Sequence, residues 1–341
     1  MKGRQIILDH IHGREAAALL VDGRLEDLLI DSDQPRLGAI YRAVAERPMK
    51  GQGGLFVNTP DGSAFLRQVK GIAPGDKLLV QVSGYAEAGK AIPVTTRLLF
   101  KSRYAIVTPG APGLNISRQI KDDDLRDELT GLARAVFEGD EETGLILRSS
   151  CASADPGDIG DDIAQMLDLA AAVAGDTEGD IEKLTEGDSP HDTAWREWTE
   201  PAEVITEAGG FETHGVLERI DALQSPLVTL TGGASMYVEP TRALVAVDVN
   251  TGRDTTPAAA LKANIAAARD LPRQLRLRGL GGQIVMDLAP MPKKDRRAFE
   301  LSLKAAFRAD PIETILAGWT PLGAFELQRK RDRLPLSELL A

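Results

Sequence analysis

The chain has 341 residues, of which 43% are hydrophobic and 27% charged, so it has enough apolar material for two or three buried cores. A single cysteine, Cys151, excludes an internal disulfide framework and a cysteine-rich zinc site within one chain. Neither a signal-peptide pattern nor an apolar run of membrane-spanning length is visible, so we expect a cytoplasmic protein with no membrane partner.

The formal net charge of −11 conceals an asymmetry along the chain. Residues 121–200 hold 23 acidic and 6 basic side chains, whereas residues 266–308 hold ten Arg or Lys against four Asp or Glu. Such segregation allows one surface to attract phosphate while another repels it. The alternative is a solvated acidic module beside an ordinary helix, and charge by itself does not separate the two interpretations.

The first hundred residues predict β structure. Residues 5–31 alternate apolar and polar positions around a turn at 21–24, which predicts short antiparallel strands. Five strand-like pieces follow between Ile40 and Thr96, separated by Gly, Pro and Asp turns at hairpin spacing. This number of short strands suits a small closed barrel of the OB type, whose face often binds single-stranded nucleic acid.

The middle of the chain predicts an α+β module. Residues 121–136 and 158–174 have helical spacing, with a strand at 144–150 between them. The acidic stretch 175–193 has few large apolar residues, and we expect a mobile connection or a frayed helix there. Residues 211–223 have the periodicity of one amphipathic helix.

The last third of the chain predicts a βαβ unit. A hairpin with turn residues Gly232 and Gly233 ends in an apolar strand, a helix runs from near Pro257 to Arg278, and the strand GQIVMDL follows. Strands joined by one crossover helix are expected to be parallel and to be neighbours in the sheet.

Both strands of this unit finish at an aspartate, Asp248 and Asp287. Because the carboxyl ends of parallel strands share one edge, we expect the two carboxylates to reach one cation. Such oxygen ligands suit Mg²⁺, with Mn²⁺ as an alternative, and Asn250 lies on the same side of the extended chain as Asp248. Since no Ser or Cys nucleophile has a suitable partner, metal-activated water would hydrolyse a phosphodiester there. The alternative is that each aspartate merely caps a turn or helix.

Basic residues flank the same unit. Arg273, Arg276 and Arg278 close the crossover helix, and Lys293 begins a basic group that follows Asp287 by six to ten residues. A phosphate backbone that passes the two carboxylates would meet these cations. The alternative is favourable arginine at a helix C-terminus and a solvated loop.

Three segments carry the strongest likeness to a known family: TRALVAVDVNTGR (241–253), RQLRLRGLGGQIVMDL (273–288) and GAFELQRKR (323–331). They resemble the catalytic core of the bacterial ribonuclease E/G endoribonucleases. Two further segments, GLNISRQI (113–120) and TGLILRSS (143–150), occupy the family's order and approximate spacing, so the resemblance spans nearly the whole chain.

The resemblance implies an architecture of α/β and α+β subdomains. It places a reduced ribonuclease-H-like subdomain at 1–34 with 176–222 and an inserted OB-fold RNA-binding barrel at 35–97. A 5′-sensor-like module would occupy 98–175. The metal-binding catalytic subdomain, with its βαβ unit, would be 223–341.

The resemblance also implies roles at the catalytic centre and the sensor. Asp248 and Asp287 would hold the catalytic Mg²⁺, and Asn250 would orient the first of them or the scissile phosphate. Arg148 and Ser149 would contact a 5′-monophosphate, with Ser149 in the place of the family's threonine; the hydroxyl donor is kept.

Further residues are implied as RNA contacts. In the barrel, Phe56 and Phe65 match positions on which the family stacks bases, and Lys90 matches a basic residue on that face. The alternative for both phenylalanines is the barrel core. Arg118 matches the first basic residue of the family's Ile-Ser-Arg-Arg motif, and Arg276 and Lys293 belong to the basic groups described above.

Departures from the family pattern limit what the resemblance implies. The chain ends without the Cys-x-x-Cys segment with which longer members share a zinc ion between subunits, so we expect no structural zinc and leave the oligomeric state open. Gln119 replaces the second basic residue of the Ile-Ser-Arg-Arg motif. Glu313 falls where the family has an arginine after the second aspartate, although Arg308 is near. Weaker RNA binding, slower cleavage or a specialised substrate would follow.

The function predicted from the sequence is Mg²⁺-dependent endonucleolytic cleavage of single-stranded RNA in RNA processing or decay. The resemblance favours A/U-rich substrates with a 5′-monophosphate. One alternative is a non-catalytic RNA-binding protein that keeps the fold; another is a metal-dependent DNase on the same core. Two carboxylates near a phosphate are unfavourable without a cation between them, which weighs against the binder.

Overall fold

The computed structural model describes residues 3–49, 53–67, 70–87, 89–137, 142–254, 256 and 258–341. The chain forms two units, one made of Met1–Asp31 with Ala202–Ala341 and the other of Ser32–Pro201. Within the described ranges, no helix is both long enough and apolar enough to cross a membrane.

Three antiparallel strands begin the chain: β1 (Arg4–Ile11), β2 (Arg14–Val21) and β3 (Arg24–Ile30). Asp22 (φ 51°) and Gly23 (φ 77°) form the predicted turn, because a two-residue hairpin loop needs positive φ at its central residues. The predicted antiparallel strands are therefore confirmed.

The next five strands close into a barrel. They are β4 (Ile40–Met49), β5 (Gly54–Thr59), β6 (Gly62–Arg67), β7 (Lys77–Val82) and β8 (Ile92–Thr95). They pair in the order β4-β5-β6-β8-β7, and β7 pairs back onto β4. Alternate side chains such as Val57, Ala64 and Val80 are fully buried inside. This closed barrel is consistent with the predicted OB type.

A four-stranded sheet with two helices follows. Its elements are β9 (Phe100–Lys101), β10 (Ala105–Pro109), β11 (Gly113–Ile116), α1 (Asp123–Val136), β12 (Thr143–Leu147) and α2 (Pro156–Gly175). Asp122 and Asp155 cap the two helices through their side chains. Cys151 is buried in this core, and desolvation raises the pKa of its thiol to about 11. The predicted helices are confirmed, and the cysteine is structural.

The expectation of a mobile connection or frayed helix at 175–193 is wrong. A strand, β13 (Glu182–Thr185), pairs antiparallel with β4, and a helix, α3 (Pro190–Glu197), begins with a capping box between Ser189 and Asp192. Strand pairing and the capping box order this segment, and Leu184 packs against the core of the neighbouring module. Both elements lie in the unit Ser32–Pro201, whereas the expected boundaries join 176–222 to 1–34.

The chain then returns to the first sheet. A short strand, β14 (Glu203–Ile205), pairs parallel with β1. Two helices follow, α4 (Gly210–Thr213) and α5 (Val216–Gln224), instead of the single helix expected at 211–223. Gly215, with φ 64°, breaks the helix, because that backbone conformation is left-handed.

The remaining elements build a six-stranded mixed sheet and its helices. They are β15 (Leu227–Thr229), β16 (Ser235–Pro240), β17 (Val245–Asn250), α6 (Ala259–Leu277), β18 (Gly282–Asp287), α7 (Arg296–Ala309), β19 (Thr314–Trp319), β20 (Phe325–Arg329) and α8 (Leu336–Leu339). The strand order is β15-β16-β17-β18-β20-β19, and β17 and β18 are parallel across the crossover helix α6. The predicted βαβ unit is confirmed.

This sheet has one buried and one open face. Val247, Ile284, Leu271 and Phe299 belong to a core in which α6 and α7 cover one side of the sheet. Strand residues alternate, so every second side chain of β16, β17 and β18 points to the other side, where the polar residues are exposed. The candidate site lies on this open face.

Candidate functional site

Asp248 and Asp287 lie directly opposite each other in the register of β17 and β18. Their neighbours Val247 and Met286 are buried, so the alternation of the strands places both aspartates on the open face, where both are exposed. Adjacent strands are about 4.8 Å apart, which brings the two carboxylates within reach of one cation. The structure thus brings together the two residues that the sequence singled out.

Asn250 completes this polar group. Its Nδ2 donates a hydrogen bond of 2.7 Å to Oδ2 of Asp248, which orients that carboxylate. In the described part of the chain, neither Asp248 nor Asp287 forms an ion pair with a basic side chain. Among the residues that the structure describes, the two negative charges therefore have no protein counterion.

The donor set fits a hard cation that also binds substrate. No group of three or more His, Cys, Asp or Glu side chains is gathered for a metal ion among the described residues, so an all-protein cage is not formed there. Mg²⁺ is commonly held by one or two carboxylates together with waters and phosphate oxygens. Asp248 and Asp287 offer that set at an exposed position.

Asn264 is a residue of this site that the sequence reasoning missed. It is fully buried in α6, its Nδ2 donates to the carbonyl of Ala289 at 2.9 Å, and its Oδ1 accepts from the Ala289 amide at 3.0 Å. Ala289 follows Asp287 by two residues, so this clamp fixes the chain where it leaves β18. An asparagine on the apolar face of a predicted helix was the signal available.

The arginines at the end of α6 serve the fold. Arg276 forms an ion pair with Asp310 and donates to the carbonyl of Glu26 at 2.7 Å. Arg278 is buried and donates to the carbonyl of Ser225 at 2.8 Å. The side chain of Arg276 is 12% exposed and already has these partners, which argues against the predicted contact of Arg276 with RNA.

Lys293 occupies a different environment. It begins the 3₁₀ turn Lys293–Asp295 after β18 and is exposed, as are Lys294 and Arg297. These three cations follow Asp287 along the chain and remain available to a phosphate backbone. The basic residues around the βαβ unit thus divide into a buried structural set and an exposed set.

The barrel carries an aromatic pair on its outside. Phe56 and Phe65 are cross-strand partners with ring centroids 5.3 Å apart, and both are partly exposed. The guanidinium of Arg47 lies 5.3 Å from the Phe56 centroid. The ring of Phe65 covers Gly54, where an added Cβ would come within 2.2 Å of it. Neither phenylalanine belongs to the barrel core, so that alternative is excluded.

Two other predicted RNA contacts lie on exposed loops. Lys90 precedes β8 and pairs with Glu87 at 2.6 Å. Arg118 is exposed in the turn before α1, next to Gln119. Nothing among the described contacts joins either of them to the aromatic pair on the barrel.

Arg148 is surrounded by protein partners. Its guanidinium donates to the carbonyls of Ser102 at 2.6 Å and Arg196 at 3.1 Å, and to the Glu197 carboxylate at 2.7 Å. Ser149 starts the 3₁₀ turn Ser149–Ser153 and is partly buried. The predicted sensor arginine is thus engaged within its own unit.

Glu197 gathers three cations. Lys101, Arg148 and Arg196 each contact its carboxylate at 2.7 Å. Burial opposes ionisation of Glu197, but bonds to Lys101 and the nearby arginines lower its pKa to about 2. The Glu197 carboxylate is therefore ionised and paired with the Arg148 guanidinium.

Comparison with known proteins shows the family to which the chain belongs. A model described as the ribonuclease E/G family matches residues 100–201 and 191–332, more than half of the chain. The chain belongs to the ribonuclease E/G family. Ribonuclease E of a Nostoc species is 26% identical over 399 residues, with 98% of this chain and 57% of that relative covered. Ribonuclease G is 26% identical in Salmonella typhimurium and 25% in Escherichia coli K12, each covered to 81%.

This ribonuclease E/G family member is shorter than its relatives within the matched region. The alignments extend over 399 and 405 positions, whereas the chain has 341 residues. The relatives therefore contain insertions that this chain lacks. The family match includes both Asp248 and Asp287, and the longer alignments extend the similarity to 98% of the chain.

Proposed function

We propose that the chain is a Mg²⁺-dependent endoribonuclease that cleaves single-stranded RNA. The observation that carries the proposal is the register pairing of Asp248 with Asp287 on the open face, without a protein counterion in the described ranges. Family membership supports the reaction class, because the relatives are named ribonucleases. The activity is that of a hydrolase acting on RNA phosphodiester bonds.

Asp248 and Asp287 would hold the metal ion. When bound, Mg²⁺ supplies charge stabilisation at the scissile phosphate and activates water near neutral pH. Asn250 keeps the Asp248 carboxylate oriented through its 2.7 Å hydrogen bond, and Asn264 fixes the backbone after Asp287. Lys293 and its exposed neighbours attract the phosphate backbone.

The barrel supplies the contact to single strands. Phe56 and Phe65 present partly exposed rings on which bases stack, and Arg47 adds positive charge beside them. Base stacking is tolerant of sequence, so a preference for A/U-rich RNA arises from its open, unpaired structure.

The preference for a 5′-monophosphate depends on Glu197. We propose that a 5′-phosphate must displace the Glu197 carboxylate from Arg148 before it binds beside Ser149, and the preference of the wild-type chain is therefore weak. Glu197→Gln, which keeps the shape of the side chain, should raise the ratio of cleavage rates on 5′-monophosphorylated and 5′-hydroxyl RNA. An unchanged ratio would place 5′-end recognition elsewhere.

The proposal extends to the subdomains and the cellular setting. The first sheet and its helices represent the reduced ribonuclease-H-like part, the module around β9–β12 represents the 5′-sensor, and the last sheet is the catalytic subdomain. We place the activity in the cytoplasm, in RNA processing or decay, where transcripts are substrates.

Cleavage of a 5′-labelled, A/U-rich RNA oligonucleotide tests the proposed function. The wild-type chain should cut it with Mg²⁺ and lose turnover in EDTA. Asp248→Asn and Asp287→Asn should each lower kcat by about 10³-fold or more, because the metal contributes several kcal/mol to the transition state. Asp221→Asn, which changes an exposed acid on α5, should leave kcat unchanged.

The same assay separates the alternatives. A matched DNA oligonucleotide cut at an equal rate would favour a DNase. The wild type and both aspartate variants could also bind RNA with equal affinity and cleave none of it. That result would favour the non-catalytic binder and overturn the catalytic claim.

A further inference from the structure

A row of four residues crosses the open face of the catalytic sheet. Leu227 of β15 is the register partner of Tyr237 of β16, Tyr237 is the partner of Asp248, and Asp248 is the partner of Asp287. Register partners on adjacent strands project to the same face. The row therefore places Tyr237 directly beside Asp248, with Leu227 one strand further from the two carboxylates.

The apolar pair formed by Tyr237 and Leu227 is exposed. Tyr237 is 38% exposed and Leu227 is 43% exposed, whereas Met236 and Val238, the chain neighbours of Tyr237, are buried in the core. Within the described ranges, Tyr237 forms no hydrogen bond, ion pair or ring contact with another side chain. Its ring is accessible to a ligand.

We propose that Tyr237, extended by Leu227, is the surface on which the nucleobase next to the scissile phosphate stacks. This inference rests on the proposed function. With adjacent strands about 4.8 Å apart, Tyr237 is one strand from Asp248 and about 10 Å from the strand of Asp287, a separation that one nucleotide can bridge. A base whose phosphate lies at the carboxylates reaches the tyrosine ring.

The chemistry of the row favours a base at this position. The face next to Asp248 repels further phosphates, but the uncharged π-face of a base can cover an exposed aromatic ring. The exposed cations Lys293, Lys294 and Arg297 lie instead on the segment that follows Asp287. Base and backbone are thus assigned to different parts of the surface, and Tyr237 is a positioning residue for the scissile bond.

The test compares the removal of one base from the RNA substrate with the removal of the Tyr237 ring from the protein. The wild type first maps the cleaved bond of one RNA oligonucleotide, and two further substrates then carry an abasic nucleotide on the 5′ or 3′ side of that bond. One of them should lower kcat/KM of the wild type by about 5- to 160-fold, the range expected for the loss of one stacked base.

Substitutions at Tyr237 should reproduce that loss on the intact substrate. Tyr237→Leu keeps apolar bulk but removes the ring, so kcat/KM on the intact RNA should fall by the same factor and respond little to the abasic nucleotide. Tyr237→Phe keeps the ring and should restore wild-type behaviour. Ile315→Ala, which removes an exposed apolar side chain on β19, should have no effect.

Each outcome decides between the two claims. Suppose first that the wild type cleaves RNA. If Tyr237→Leu then has the wild-type kcat/KM, or if the abasic nucleotide lowers kcat/KM equally for both proteins, the stacking inference is overturned and the proposed function stands. If the wild type cuts no RNA, the proposed function fails. The stacking inference is then tested by the affinity of the variants for the intact RNA, measured by fluorescence anisotropy. Tyr237→Leu must then bind the intact RNA several-fold more weakly than Ile315→Ala, and equal affinities overturn the inference.

Discussion

The two carboxylates on β17 and β18 and the carboxylate of Glu197 differ in their partners. Asp248 and Asp287 lie side by side on adjacent strands, and Asn250 donates a hydrogen bond to Asp248, whereas Glu197 contacts three cations. A carboxylate that is paired with cations of its own chain stabilises the folded state. Two adjacent carboxylates without a counterion repel each other, and a bound cation removes that repulsion. This difference supports the proposal that the aspartate pair, and not Glu197, binds a cation.

The clamp beneath the open face should give the largest effect of the variants discussed below. Asn264→Ala leaves the amide and carbonyl of Ala289 buried without partners, so the free energy of unfolding should fall by about 3 kcal/mol. In urea unfolding near neutral pH, Asn264→Asp should be at least as destabilised as Asn264→Ala, because it places a buried carboxylate oxygen against the Ala289 carbonyl. Because the backbone that follows Asp287 loses its contacts with Asn264, kcat should fall by a larger factor than the factor by which KM changes. Wild-type stability of Asn264→Ala would contradict the clamp.

Glu197 should give a smaller effect that depends on pH. Its pKa is lowered to about 2 in the folded chain, so its stabilising contribution is complete above its ordinary pKa near 4.5 and is lost as the pH falls toward 2. The Glu197→Gln change should lower the free energy of unfolding by on the order of 2 kcal/mol at pH 6, after allowance for its 30% exposure.

Urea unfolding between pH 3 and pH 6 measures this contribution. The difference between the wild type and Glu197→Gln should shrink as the pH is lowered through this range. Asp168→Asn, at an exposed position of α2, should show no comparable change. A difference in the free energy of unfolding that stays constant across this pH range would mean that the charge of Glu197 does not contribute to stability through its three cations.

The smallest effect separates the two sets of basic residues. Lys293→Ala should reduce the slope of log K against log salt for RNA binding by about 1 and leave stability unchanged, because Lys293 is exposed. Arg276→Ala should leave that slope unchanged but destabilise the chain, because Asp310, which is 1% exposed, loses one partner. The reverse pattern would mean that Arg276, and not Lys293, meets the phosphate backbone.

Much of the fold could be predicted because it follows local patterns. Period-two alternation located β1–β8, and the crossover rule made β17 and β18 parallel, which was enough to pair Asp248 with Asp287. The strand β13 was missed because its order comes from pairing with β4, more than 130 residues away in the sequence, and not from its own apolar content.

The hydrogen-bond and ion-pair partners of single side chains could not be predicted from the sequence. Arg276 and Asp310 are 34 residues apart, and Arg148 and Glu197 are 49 apart, so no local pattern shows that these guanidinium groups are occupied. The same holds for Asn264, whose partner is a backbone group of Ala289. Residue types can suggest an RNA contact, but only the three-dimensional arrangement shows which cations remain available.

The most direct test of the central claim is anomalous diffraction from a crystal soaked in Mn²⁺. We predict a peak between the carboxylates of Asp248 and Asp287 that is absent in a crystal of Asp287→Asn soaked in the same way. Manganese bound elsewhere with this position empty, or an equal peak in the variant, would contradict the account.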